Sequence, residues 1–249
     1  LVTDGQVVAY HDTQGHSGWL DVDTEVAHEG PPDAYAVDTA LGLAWWSFAE
    51  TPNRLAAVDG SWSVTLPFPG RAHIFHDTVY NRVEPEAYVL RRGADGAVGL
   101  DPAPSIPKAC LDGTYRAHTV RCGEGEPSVD LRTGDQLGSG VLTSTPDGTF
   151  VLDGSAFRAE VYDTRTEQIA WASTTRPFRT STDRDHVAWR DEHGRTHVRR
   201  WRSGEPLLDI AAHPDVDERA PFVVVPARRL AVAGVTEGLA LQRPAEKLI

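Results

Sequence analysis

Residues 141–172 read V-L-T-S-T-P-D-G-T-F-V-L-D-G-S-A-F-R-A-E-V-Y-D-T-R-T-E-Q-I-A-W-A. Four short apolar runs follow one another here: Val141 to Thr145, Thr149 to Leu152, Ala159 to Tyr162 and Gln168 to Ala172. Runs this short, bounded by Asp, Gly and Thr, read as β-strands and not as helices. Between the first two stands Thr145-Pro146-Asp147-Gly148. That sequence suits a tight hairpin, because Asp bonds the backbone that follows it and Gly accepts a positive φ. The unit is therefore four strands in about 35 residues.

The same punctuation recurs on both sides of this stretch. A strand ending in Asp and a turn residue appears at Asp4 (V-T-D-G), Asp38 (A-V-D-T), Asp77 (F-H-D-T), Asp112 (C-L-D-G), Asp147 (T-P-D-G) and Asp183 (S-T-D-R). These Asp residues are 34, 39, 35, 35 and 36 positions apart. A seventh unit has Val224-Val225-Pro226-Ala227 where the Asp would stand. The 22 Gly and 17 Pro are spread along the chain and exclude long helices almost everywhere. One four-stranded sheet cannot bury both of its faces, whereas sheets stacked radially bury them against neighbours and hide most edges. The period predicts an all-β fold: a single β-propeller over residues 1–249 with about seven four-stranded blades, six being the alternative.

The strand start T-P-D-G and the run V-Y-D-T-R-T-E-Q-I-A-W, Val161 to Trp171, resemble the degenerate repeats of bacterial WD40-like and quinoprotein-like propellers. The Trp-Asp dipeptide of WD40 repeats proper is absent. The resemblance implies the fold and no catalytic motif, since propellers host enzymes, lectins and scaffolds alike.

Composition narrows the function classes. The chain has 249 residues and a formal net charge of −12. Its seven Trp, six Tyr and seven Phe can build a core, which excludes a disordered chain. The acidity opposes a phosphate backbone, so no nucleic-acid partner is expected, and no apolar run approaches the ~20 residues of a membrane span. Charge is uneven: residues 1–90 hold 13 Asp and Glu against three Arg, while residues 176–202 hold eight Arg against four acids. The first 30 residues carry no basic n-region and no apolar h-region, so no signal peptide is expected in them, which leaves a removed one open. If Asp112-Gly113 is a two-residue hairpin turn, Cys110 faces Tyr115, and Cys122 lies further along the ladder. The two cysteines are on that register expected to be reduced, which favours a cytoplasmic location.

Inter-blade loops are expected near His28 to Asp33, Pro67 to His73, Ala103 to Lys108, Ser173 to Phe178 and His213 to Pro221. Loops between second and third strands are expected near His11 to Gly18, Ala49 to Arg54, Arg91 to Gly96, Arg190 to Arg195 and Val235 to Gly238. Both kinds share one face, where propeller sites usually sit. If the chain is an enzyme, His73, His76, Asp77 and Arg179 are the residues expected around the central channel, because a His beside a carboxylate can act as a general base. Neighbours on a strand point to opposite faces, however, so His76 and Asp77 do not converge by adjacency alone. No spacing gives a chelating His or Cys pair, and neither a metal nor a cofactor is expected. Gly138-Ser139-Gly140 and Asp153-Gly154-Ser155 read as turns and not as nucleophile motifs. In the basic stretch, Arg176, Arg179, Arg190, His193 and Arg195 are the expected partner or anion contacts. The residues favour a non-catalytic binding or scaffold module that takes a protein or small-molecule partner on its loop face. A propeller enzyme, either a hydrolase or lyase or a catalyst of specialised metabolism, and a sugar-binding lectin are the alternatives. The oligomeric state is not legible.

Overall fold

The computed structural model describes residues 1–12, 16–47, 53–103, 106, 108–123, 126–131, 133–137, 140–154, 158–217, 219–235 and 238–244. Ser139, Ser155 and the loop at 48–52 lie outside these. The described residues form seven successive antiparallel meanders. The first sheet holds β1 (Val2–Thr3), β2 (Val7–His11), β3 (Ser17–Asp21) and β4 (Ala27–Glu29). The second holds β5 (Ala34–Thr39), β6 (Gly42–Ser47), β7 (Arg54–Ala57) and β8 (Ser63–Thr65). The third holds β9 (Ala72–Phe75), β10 (Thr78–Asn81), β11 (Ala87–Arg92) and β12 (Val98–Ala103). The fourth holds β13 (Thr114–Arg116), β14 (Thr119–Arg121), β15 (Ser128–Asp130) and β16 (Gln136–Leu137). The fifth holds β17 (Val141–Ser144), β18 (Phe150–Asp153), β19 (Ala159–Asp163) and β20 (Gln168–Ser173). The sixth holds β21 (Arg179–Thr182), β22 (His186–Arg190), β23 (Thr196–Arg200) and β24 (Pro206–Ile210). The seventh holds β25 (Phe222–Val225), β26 (Leu230–Val235) and β27 (Gly238–Gln242). In every sheet, strands pair in chain order. This is a β-propeller of seven blades, so the six-blade alternative is excluded. The chain forms two compact units, Leu1–Tyr115 and Arg116–Ile249.

The repeated Asp earns its place through turn chemistry. Asp147 Oδ1 accepts from the Thr145 hydroxyl at 2.7 Å and from the Thr149 amide at 3.0 Å, with Gly148 at φ 66°. Asp183 does the same for the amides of Asp185 and His186, at 2.8 and 2.7 Å, and Asp4 for those of Gln6 and Val7, both at 2.9 Å. In the seventh sheet a 3-10 turn, Pro226–Arg228, stands where the Asp is missing. Elsewhere the capping differs. Thr39, not Asp38, closes the second sheet's first turn, its hydroxyl donating to the Gly42 carbonyl at 2.6 Å.

Three readings of the sequence are corrected. Asp112-Gly113 is not a hairpin turn: the 3-10 turn Lys108–Cys110 takes up the chain there, and the Gly113 amide donates to the Cys110 carbonyl at 2.9 Å. The hairpin lies instead between β13 and β14, where Ala117 has φ 50°. The expected register therefore does not form, and Cys110 and Cys122 are both disulfide-bonded, not reduced. The loop at Arg91 to Gly96 joins the third strand of its sheet to the fourth, because Thr78–Asn81 is the second strand of that sheet and Ala87–Arg92 the third. The five expected inter-blade loops all connect successive sheets.

Burial between neighbouring sheets supplies the core of each unit. In the first, Leu55, Trp62, Leu66, Phe68, Val79 and Leu90 form one buried cluster, and Ala9, Ala34, Leu43 and Trp45 another. In the second, Phe150, Leu152, Val161, Val187, Trp189 and Trp201 pack together, and Val198, Ile210, Phe222, Val224 and Ala231 form the next layer. Each fully buried side chain of this size contributes about 1.5–3 kcal/mol. Two of the buried indoles of the second unit are also hydrogen bonded, as amphipathic rings in cores usually are. Trp189 Nε1 donates to the Thr175 hydroxyl at 2.9 Å, and Trp201 Nε1 to the Asp183 carbonyl at 3.1 Å.

Trp189→Ala is expected to lower unfolding free energy by about 3–5 kcal/mol, read from urea denaturation followed by fluorescence. Unchanged stability would mean that Trp189 does not support the core between the fifth and sixth sheets. Cys122→Ser is expected to cost about 2–4 kcal/mol, and dithiothreitol should lower the melting temperature of the parent chain but not of the variant.

Candidate functional site

In a meander the first and third turns of a sheet lie at one end, and the second turn with the inter-sheet connections at the other. A cavity of about 880 Å³ lies along the fifth sheet and reaches its first and third turns. Its walls come from three turns. The β15–β16 segment contributes Asp130, Asp135 and Leu137; the first turn of the fifth sheet contributes Asp147 and Thr149; the β19–β20 turn contributes Tyr162, Asp163, Arg165 and Glu167. Val141, Val151 and Asp153 line it from the strands. Six carboxylates thus face a single guanidinium.

The electrostatics are set locally. Arg165 donates to Asp163 from its amide at 3.0 Å and from its guanidinium at 3.4 and 3.3 Å. Its side-chain hydrogen bonds, followed by its amide, hold the Asp163 carboxyl below the ordinary value of 3.8 and raise Arg165 in return. Asp147 is spent on its turn, whereas Asp135 and Glu167 are exposed. Glu167 has φ 56°, a left-handed position that ends the turn before β20. Among the described residues no group of three or more His, Cys, Asp or Glu side chains is placed to hold a metal ion. The cavity can attract a positive charge and lay apolar atoms beside it.

The residues expected from the sequence lie elsewhere. In the first unit, the His73 ring packs against Tyr115 at 5.1 Å and Tyr80 at 6.0 Å. His76 sits in the β9–β10 turn at φ 54°, its carbonyl accepting from the Ala40 amide at 3.2 Å, and Asp77 accepts from the Thr78 hydroxyl at 2.8 Å. His76 and Asp77 thus both serve a hairpin. In the second unit, exposed Arg179 donates from Nε to the Arg219 carbonyl at 2.7 Å, and Arg176 lies over the Phe178 ring at 5.6 Å. His193 and Arg195 are exposed on the β22–β23 turn, their amides bonded to Asp191. These four share one end of the sixth sheet, since Arg179 pairs with Arg190 and the turn follows Arg190 directly. Arg190 itself is fully buried. Its guanidinium lies over Phe222 at 4.7 Å and donates to the carbonyls of Asp217 and Ala220 and to Gln242 Oε1, each at 3.2 Å. Burial pulls its pKa below the ordinary value, against the pull of Asp217. Arg190 therefore ties the sixth sheet to the seventh.

One cluster went unread. His197 bonds Asp191 through Nε2 at 2.9 Å and Asp209 through Nδ1 at 2.8 Å, and its ring stacks on Trp189 at 5.3 Å. Arg199 donates to Asp209 at 2.9 Å. Only the pairing of β22, β23 and β24 brings these residues together; their spacing in sequence carries no signal. Burial opposes ionisation of Asp191, but hydrogen bonds from His197 and the Arg195 and His193 amides outweigh it, and the carboxyl lies below the ordinary 3.8. Asp209 is lowered in the same sense, with Arg199 and His197 overcoming its desolvation.

The fold places the chain among the β-propellers. No family model and no curated protein matches it. Among solved structures it is similar to a chain of a mitotic checkpoint complex, with 11% identity, TM-score 0.55, and 98% of this chain and 88% of that one covered. It is also similar to the Cps50 (Swd1) β-propeller domain of Myceliophteria thermophila, with 14% identity, TM-score 0.54, and 98% and 95% covered. BamB from Moraxella catarrhalis matches at 12% identity and TM-score 0.38, with 98% and 86% covered. The likeness to WD40-like propellers holds at the level of the fold. No helix among the described residues is long and apolar enough to cross a membrane.

The lowered carboxyls of Asp191 and Asp209 contribute stability that is present above the ordinary carboxylate pKa and is lost as pH falls through their folded values. Stability should therefore be level from pH 7 to about 5 and drop below about pH 4. Asp191→Asn should lower that plateau and flatten the drop in urea titrations across pH; a variant curve parallel to the parent's would refute the assignment.

Proposed function

We propose that the chain is a non-catalytic binding module that receives a cationic segment of a protein partner. One observation carries this reading: the 880 Å³ cavity is walled by six carboxylates and one Arg, with Leu137, Val141 and Val151 beside them. Lys and Arg side chains match such a wall, their charge meeting the carboxylates and their stems the apolar atoms. Further support comes from the His and Asp residues considered for catalysis, which are engaged in turns and ring stacks. Arg176, Arg179, His193 and Arg195, at the second-turn end of the sixth sheet, are proposed as a second set of contacts for an acidic group. Two disulfide-bonded cysteines favour an oxidising compartment over the cytoplasm expected from the sequence.

A fluorescein-labelled decapeptide of alternating Lys and Arg tests the cavity by anisotropy. Binding is expected at 50 mM salt and lost at 500 mM, as exposed charge contacts require. Asp135→Asn with Glu167→Gln should weaken it about tenfold, the equivalent of ~1.4 kcal/mol. Equal binding by parent and double variant would overturn the assignment of the cavity.

A further inference from the structure

A strand at the edge of a sheet presents a row of unpaired N–H and C=O groups that another chain can pair with, and proteins guard such edges with charge, proline or brevity. The last strands of the six four-stranded sheets can be compared on this point. β4 and β8 have three residues each, and β16 has two. β12 contains Asp101 and Pro102, and β24 contains Pro206 and Asp209. β20 is the exception: six residues, Gln168-Ile169-Ala170-Trp171-Ala172-Ser173, with no charge and no proline. Gln168, Ile169, Ala170 and Ala172 are exposed, Ile169 at 48%. β27 is uncharged too, but Leu239 to Leu241 are half-buried and Gln242 is buried.

The exposed edge is also firmly seated. Trp171 Nε1 donates to the Trp201 carbonyl at 2.6 Å, and its ring stacks on Trp189 at 6.0 Å. Gly204 lies against the same indole, where a Cβ would come within 2.7 Å. A register shift between Val161 and Tyr162 leaves Ala170 as a bulge, which twists the strand without adding charge to it. The strand begins directly after Glu167, which with Asp163 walls the acidic cavity.

We propose that β20 is a docking edge that takes an extended segment of a partner protein as a fifth strand, with basic residues at the end of that segment that reaches the acidic cavity. Main-chain pairing supplies affinity in such β-addition, and side-chain complementarity supplies specificity. The inference rests on the reading of the chain as a binding module and names the partner's form: a β-prone, uncharged run flanked by Lys or Arg.

The test pans a phage-displayed random dodecamer library on the full chain and measures the selected peptides by anisotropy. Peptides with a Val, Ile or Thr run next to Lys or Arg are expected. Ile169→Lys and Ala172→Lys, both at exposed positions, should each weaken them at least tenfold while leaving the melting temperature unchanged. Failure to select peptides, or equal binding by both Lys variants, would overturn the docking edge. So would a parent chain that is dimeric by light scattering and becomes monomeric on Ile169→Lys, because the edge would then pair with a second copy. If Ile169→Lys weakens the peptides but Asp135→Asn with Glu167→Gln does not, the edge stands and the cavity reading alone fails. The reverse pattern spares the cavity and sinks the edge.

Discussion

A four-stranded antiparallel sheet has two faces and can shed water from both only by packing against neighbouring sheets. Everything else in this chain depends on that constraint. It explains why residues on successive strands are buried together: Leu152 and Val161 of the fifth sheet meet Val187 and Trp189 of the sixth, and Val198 of the sixth meets Phe222 and Ala231 of the seventh. It also explains the indoles. A ring as large as Trp189 fills an inter-sheet layer, and its single N–H finds Thr175 without opening the layer to solvent. Arg190 is the polar version of the same device, a buried cation whose hydrogen bonds reach the next sheet at Gln242.

Because sheet faces are committed to burial, chemistry is left to turns and edges. The turns must first satisfy their own backbone: Asp77, Asp147 and Asp183 all accept hydrogen bonds within their own hairpins, and His76 and Asp77, two of the four residues considered for catalysis, stand in such a turn. What remains is surplus charge, as where Asp135 and Glu167 project beside the turn acids, and surplus backbone, as along β20. A binding module needs little more than these.

The period of the fold was legible because turn chemistry is local. Asp followed by a turn residue between apolar runs favours a hairpin by local bonding alone, and five of the six such marks stand at the first hairpin of a blade. The fourth blade shows the limit: Asp112-Gly113 has the right residues, but a 3-10 turn at Lys108–Cys110 shifts the strand by several positions. The candidate site was less legible. Arg176, Arg179, His193 and Arg195 do gather at one end of the sixth sheet, since adjacency in sequence and one strand pairing suffice to bring them there. The acidic cavity combines residues from Asp130 to Glu167 across two sheets, and no local pattern announces that combination.

The sequence by itself determined the all-β class, the repeat of about 36 residues, the positions of most turns and the uneven charge. These depend on backbone preferences and side-chain periodicity within a few residues. Only the tertiary structure decided that the cysteines are bonded, that Arg190 points inward while Arg179 stays exposed, that His197 lies between Asp191 and Asp209, and that β20 is the unguarded edge. Each of these depends on which strand lies beside which, and on the exposure that packing leaves, and neither is encoded in any single stretch of the chain.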